Sequence, residues 1–210
     1  MIKEDIEIKK EYTKLGIQIC QIILPLSRLK SKTVVAVCGE SGSGKTVTAT
    51  SLKMQLKSNG VSSRILHLDS YFKLPPKENH KKRQKGLDWV GSNEVNLNLL
   101  QEHVNAFKEG AEKIEIPVVD YGNNCFEELE LDLINEDVLI IEGVYSFLIE
   151  GINFGIFMER NYLQTREIRK RRNREVYDDF VEQILEIEHG IIAPLIKKAD
   201  MIIDSNYTIR

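Results

Sequence analysis

Gly39 to Thr46 carry the densest chemical signal in the chain, GESGSGKT, with the spacing G-x-x-x-x-G-K-T. A phosphate is gripped by several backbone N–H groups turned toward one point. Gly39, Gly42 and Gly44 free the backbone to make that turn, and Glu40, Ser41 and Ser43 fill the positions between them. A helix opening at Lys45 adds its unpaired N–H groups and the positive end of its dipole. Lys45 brings a full charge to the β- and γ-phosphates, and the Thr46 hydroxyl is a ligand for Mg²⁺. The cradle for a nucleoside triphosphate is therefore expected to run from Gly39 to Thr46, with Thr48 on the first turn of the helix.

Two carboxylates and an arginine cluster extend that chemistry. Asp69 follows the apolar run Arg64–Leu68, and Glu142 follows Val138–Ile141. Phosphoryl transfer to a hydroxyl asks for an acceptor in line, a metal, positive charge and a carboxylate to take the proton. Asp69 is the candidate base and a candidate metal-site residue, with a helix cap or turn residue as the plainer alternative. Glu142 ends an apolar strand in the position that reaches Mg²⁺ or its water in P-loop proteins. Gly143 after it would let the backbone pass close to the site. Arg166, Arg169 and Arg172 recur every three residues within a segment that also holds Arg171 and Arg174. Such a cluster can supply transition-state charge, with Arg169 and Arg172 favoured, or remain a solvated basic helix.

The elements that must position these groups follow from the apolar pattern. Thr33–Cys38, Arg64–Leu68, Val138–Ile141, Asn153–Met158 and Met201–Ile203 read as buried strands separated by helices. That alternation predicts an α/β P-loop nucleoside triphosphate hydrolase fold: a five-stranded parallel sheet with helices on both faces. Ligands of such sheets sit at the carboxyl ends of the strands, which puts Asp69, Glu142 and the glycine-rich turn at one end. A helix is expected from about Ile6 to Leu24, ended by Pro25, and another from Lys45 to Gly60. Leu74–Asn93 reads as a loop whose basic run Lys81–Lys85 is taken as solvated. A helix over Glu94–Lys108 is expected to be capped by Ser92 or Asn93 and stopped by Gly110. Lys113–Val119 and Phe126–Leu133 predict a small hairpin beside the sheet.

Composition sets outer bounds. The 210 residues, 42% hydrophobic, are enough for one α/β domain. A net charge of −3 gives no electrostatic case for nucleic acid as a partner. Cys20, Cys38 and Cys125 have no metal-ligand spacing and suit a reducing, cytoplasmic setting. No run approaches membrane-spanning length, and the charged start does not read as a signal peptide.

The P-loop, Asp69-Ser70-Tyr71-Phe72-Lys73, Ile116-Pro117-Val118-Val119-Asp120-Tyr121, Val138–Gly143 and the arginine segment occur in an order that resembles the uridine–cytidine kinase and phosphoribulokinase group. The resemblance covers roughly residues 33–204. It implies a kinase using ATP and Mg²⁺, with a mobile arginine-bearing lid at about residues 163–180, in a domain spanning 31–210 behind a helical extension at 1–30. It implies Asp69 as base, Thr46 and Glu142 as metal-associated residues, and Asp88 as the carboxylate on a ribose hydroxyl. Tyr71, Tyr121 and Arg166 are the further candidates for contact with the acceptor.

Some of the pattern departs. The aspartate–histidine–proline motif of the group reads Leu87-Asp88-Trp89-Val90-Gly91, and a base-reading histidine is replaced by Asn124 or its neighbours. The tyrosine after Ile116-Pro117-Val118 is Val119, and the lid reads Arg174-Glu175-Val176 in place of the group's sequence. Trp89 or Tyr121 could replace the aromatic platform. The expected function is transfer of the γ-phosphate of ATP to a hydroxyl of a small molecule, with uridine or cytidine nearest. A sugar phosphate, a pantothenate-like alcohol or a regulatory ATPase role are the alternatives. A dimer contact through the first helix stays open.

Overall fold

The computed structural model describes residues 8–29, 32–172 and 178–210. Its central strand is β1 (Thr33–Gly39), buried along its whole length. Beside it lie β2 (Ser63–His67), β5 (Val138–Glu142), β6 (Phe154–Met158) and β7 (Met201–Ile203), in the order β2-β5-β1-β6-β7. All pairings are parallel. The remaining strands, β3 (Lys113–Asp120) and β4 (Cys125–Asp132), form the expected separate antiparallel hairpin.

Alternation along the strands builds two cores. Val34, Ala36, Cys38, Leu139 and Ile141 face one side, where Leu100, Val104 and Phe107 of helix α4 (Leu97–Glu109) pack. Val35, Val37, Val138 and Ile140 face the other, covered by α1 (Lys10–Leu29) and α2 (Lys45–Ser58). Leu15, Ile19 and Ile23 of α1 meet Ala49, Leu52 and Leu56 of α2 there, so the first helix is part of a core.

Four expectations need correction. Helix α1 does not end at Pro25: the proline lies inside it, on an exposed turn where the carbonyl it strands can reach water. The expected start near Ile6 falls outside the described residues. The stretch read as a loop contains α3 (Pro76–Lys85), opened by a proline in its first turn. Its polar sequence hid it, because no apolar stripe marks a helix that lies over a cleft. Helix α4 begins three residues later than expected, because Asn96 is the cap, accepting from the Leu99 N–H. Ser92–Glu94 forms its own short 3-10 turn instead. Two further helices, α5 (Arg166–Arg172) and α6 (Asp179–Ile192), flank residues 173–177, which lie outside the described residues.

Candidate active site

Strand register brings the chemistry to one edge. His67 pairs with Glu142, and Val37 with Glu142 on its other side. Gly39 ends β1 beside Met158. The turn after β1 has left-handed φ values at Gly42 (79°) and Gly44 (104°), and α2 starts directly behind it. An added Cβ on Gly42 would come within 3.0 Å of the Thr165 side chain, so the turn is closely roofed as well as strained. Lys45 is buried, and its ammonium donates to the Glu40 carbonyl at 2.9 Å across the loop. The Ser43 hydroxyl is fully buried and has no hydrogen-bond partner among the described residues. A buried orphan hydroxyl inside an N–H-lined turn is the arrangement a bound phosphate would complete.

The Thr46 hydroxyl donates to Glu142 Oε1 at 3.2 Å. Burial pushes the Glu142 carboxyl up. The hydrogen bond and charge of His67, with Lys45 and Thr46, outweigh it and hold the group below the ordinary carboxylate value. His67 Nδ1 lies 2.7 Å from Glu142 Oε1; burial opposes its charge, yet the pairing leaves it raised. A hydroxyl and an ionised carboxylate in contact are hard oxygen donors of the kind Mg²⁺ takes, one or two from protein and the rest from phosphates and water. Among the described residues no cluster of three or more His, Cys, Asp or Glu forms a metal cage, and a nucleotide-borne Mg²⁺ needs none. Gly143 makes room for Leu68, whose Cβ would stand 2.3 Å from an added Cβ.

Asp69 is exposed at the end of β2, in a short 3-10 turn, and accepts from the Tyr121 hydroxyl at 3.3 Å. Both residues line a cleft of 620 Å³ that also reaches Ser41 of the glycine-rich turn. Phe72, Val119, Tyr121 and Phe126 make its apolar side, and α3 makes the polar side. A smaller inner recess of 130 Å³ shares Ser41, Asp69, Phe72 and Arg83 with the cleft and continues to Glu188.

Several candidates fall elsewhere. Tyr71 is packed in the core, its hydroxyl 2.8 Å from His103 Nδ1, because the short turn buries Leu68, Ser70 and Tyr71 and leaves Asp69 outside; it does not touch the cleft. Asp88 is exposed and lines neither cavity. Trp89 is no platform: its indole donates to Asn79, and Lys82 sits 3.3 Å above its ring. Asn124 ties the hairpin to the start of α3, accepting from the Lys77 N–H and donating to Glu78. Arg166 pairs with Glu182 of α6 at 2.9 Å. Arg169 instead lies over the glycine-rich turn, its Cγ 3.2 Å from where Gly42 would carry a Cβ, and donates to the Tyr162 carbonyl and the Thr165 hydroxyl. The Arg172 side chain and Arg174 lie outside the described residues.

Other contacts around the turn were not read from the sequence, although Glu40 itself was named there as part of the cradle. Thr165, fully buried, donates to the Ser41 carbonyl at 2.8 Å and pins α5 to the turn. Glu40 presents its backbone to Lys45 while its carboxylate accepts from the Tyr162 N–H and meets His189 at 2.7 Å. Arg83 holds Glu94 by two bonds, 2.6 and 2.9 Å, and Glu188 by one at 2.9 Å, joining α3 to α6 behind the cleft. These partners lie up to 149 residues apart, and no local spacing marks them.

The sheet order and the glycine-rich turn define a P-loop nucleotide-binding fold. Residues 34–208 match the model of the phosphoribulokinase / uridine kinase family. The chain belongs to that family. It is 26% identical over 194 residues to the bifunctional alpha-galactosidase/sucrose kinase AgaSK of Mediterraneibacter gnavus, an alignment covering 86% of this chain and 21% of that protein. It is 27% identical over 124 residues to the uridine kinase of Ureaplasma parvum, covering 59% of this chain and 58% of that one. The chain thus spans about a fifth and under two thirds of the lengths of these two relatives. A structure described as a possible uridine kinase, from Bacillus stearothermophilus, superposes with a TM-score of 0.67 at 20% identity, covering 90% of this chain and 97% of that one. At that identity the superposition speaks for the fold alone.

Proposed function

We propose that the protein transfers the γ-phosphate of ATP, bound with Mg²⁺, to a hydroxyl of a small molecule. The observation that carries this is the placement of Asp69, which shares one cleft with the glycine-rich turn and is met by the Tyr121 hydroxyl. The backbone of Gly39–Thr46 and Lys45 grip the phosphates, and Thr46 with Glu142 hold Mg²⁺, which supplies charge neutralisation at the transferring group. Asp69 takes the hydroxyl proton as the acceptor oxygen bonds to phosphorus and the bond to the ADP oxygen breaks. Arg169, already against the turn, supplies positive charge to the phosphates. Tyr121 orients Asp69, and the hydrophobic wall around Phe72 and Phe126 keeps the acceptor in line.

The nearest acceptor by kinship is a nucleoside, and free thiols at Cys20, Cys38 and Cys125 suit a cytoplasmic setting. The variant Asp69→Asn is expected to bind MgATP as the parent does and to lose roughly 10²- to 10⁴-fold in turnover, the usual range for a general base. Calorimetry with MgATP and an ADP-release assay across hydroxyl acceptors measure the two halves separately. Parental turnover in Asp69→Asn would remove the base from the mechanism.

A further inference from the structure

Helix α3 turns one stripe toward the cleft: Lys77, His80, Lys81 and Gln84, at successive turns of the helix, all line it. The two lysines are exposed there, and neither ammonium enters an ion pair among the described residues. Glu78, between them in sequence, is turned to the Asn124 amide at 2.5 Å. Farther in, the charge is reversed. Arg83 is shared by the fully buried Glu94 and by Glu188, and the recess is lined by two acids, Asp69 and Glu188, against the one base, Arg83. The cleft is therefore polarised, acidic where the hydroxyl must lose its proton and cationic at its mouth. The run Lys81–Lys85, which the sequence suggests is merely solvated, has Lys81, Arg83 and Gln84 on this wall, and Lys82 stacked on Trp89 outside it.

Resting on the kinase reading above, we propose that the acceptor carries an anion, a phosphate monoester or a carboxylate, which Lys77 and Lys81 bind at the mouth while its hydroxyl reaches Asp69. Two ammonium groups one helical turn apart can both reach one anion, and each charge-assisted bond is stronger than its neutral counterpart. The acids at the inner end repel the same anion, so only one orientation of the acceptor is admitted. Tyr121 and Phe126 cover the carbon skeleton between the two ends. A neutral nucleoside would leave this cationic mouth without a partner. In a chain of net charge −3, the local positive wall also steers the anion in, which makes the on-rate fall with salt.

The test compares acceptors with and without the anion: a hydroxy acid with its methyl ester, which keeps every hydroxyl, and uridine with its 5′-monophosphate and ribose with ribose 5-phosphate, in which the phosphate replaces the 5-hydroxyl. Binding is read by calorimetry on the full chain saturated with Mg²⁺ and a non-hydrolysable ATP analogue, and turnover by ADP release. Only anionic members should bind and turn over, with kcat/KM falling as salt rises. The phosphate and carboxylate arms then tell which anion is taken. Lys77→Gln and Lys81→Gln should each raise the acceptor KM about tenfold, the double variant more, with the KM for ATP unmoved and Lys→Arg recovering most of the loss. Neutral members bound as well as anionic ones, no binding of any anionic member, or an acceptor KM indifferent to both lysines would overturn the proposal. Anion-selective binding without ADP release would leave the anion site standing and sink the kinase reading instead.

Discussion

Lys45 shows how much a single side chain does in the nucleotide half of the site. Its ammonium is buried and already reaches across the loop to the Glu40 carbonyl at 2.9 Å, so it is preorganised before any phosphate arrives. Preorganised charge in a water-poor site is worth far more than the same charge in solution, because nothing has to reorient as the reaction proceeds. Lys45→Ala should therefore lower kcat/KM by roughly 10²- to 10³-fold and weaken MgATP binding as well. Coupled ADP release and calorimetry on the same preparation check both. Unchanged values would remove Lys45 from the phosphate grip. Lys45→Arg should not recover the loss, because the planar guanidinium is bulkier than the ammonium and differs in geometry. At this scale the sequence was most readable. Lys45, Thr46, Glu142 and Asp69 sit where spacing and strand ends put them. Tyr71 and Asp88 came from motif position alone, and a motif does not say which way a side chain points in a one-turn helix.

The elements make a different demand, since the turn holding Asp69 has to be anchored to something rigid. Tyr71, two residues on, is that anchor: it packs edge-on against His103 of α4, ring centroids 5.6 Å apart, and shares a hydrogen bond with it. Burial holds the His103 imidazole below its ordinary value of 6.5, with the charge of Glu102 opposing. A depressed histidine contributes stability above its unfolded pKa, and that contribution is lost as pH falls below it, because the unfolded chain binds the proton first. Between about pH 7.5 and about pH 5.5 the urea midpoint of the parent should accordingly move downward relative to that of the Tyr71→Phe/His103→Leu pair, which has no imidazole at position 103, while the raised His67 acts in the opposite sense in both. Tyr71→Phe alone should cost about 1 kcal/mol through the lost hydrogen bond. Equal pH slopes in parent and double variant would take His103 out of the account. Helix α3 illustrates what the sequence hid at this scale. Its mean polarity gives no apolar stripe, because one face lines a cleft, so periodicity has nothing to report.

For the molecule as a whole, the five strands of the sheet were legible because burial leaves near-continuous apolar runs, and the hairpin because its two strands flank a polar turn. The braces around the turn were not: Thr165 to Ser41, Glu40 to His189 and Arg83 to Glu188 join residues more than 100 apart. The first helix belongs to this long-range tier. Tyr12 of α1 puts its hydroxyl 2.7 Å from where Gly44 would carry a Cβ, and the same hydroxyl donates to Tyr207 at 2.7 Å. Behind that contact, Ile19 is fully buried against α2. Ile19→Ala should cost about 2–5 kcal/mol, from lost transfer energy and the cavity left behind. Such a loss is a large part of the ~5–15 kcal/mol typical of a domain, so equilibrium unfolding in urea would show it plainly. On the proposed function MgATP is a ligand of the folded chain alone, and at about a hundred times its Kd it should restore ~2.7 kcal/mol to parent and variant alike. The same addition should restore much less in Lys45→Ala, whose fold is intact but whose grip is gone. A loss below about 1 kcal/mol for Ile19→Ala would mean that α1 lies on the sheet without stabilising it. Ligand stabilisation equal in the Lys45 variant would place the nucleotide somewhere other than the glycine-rich turn.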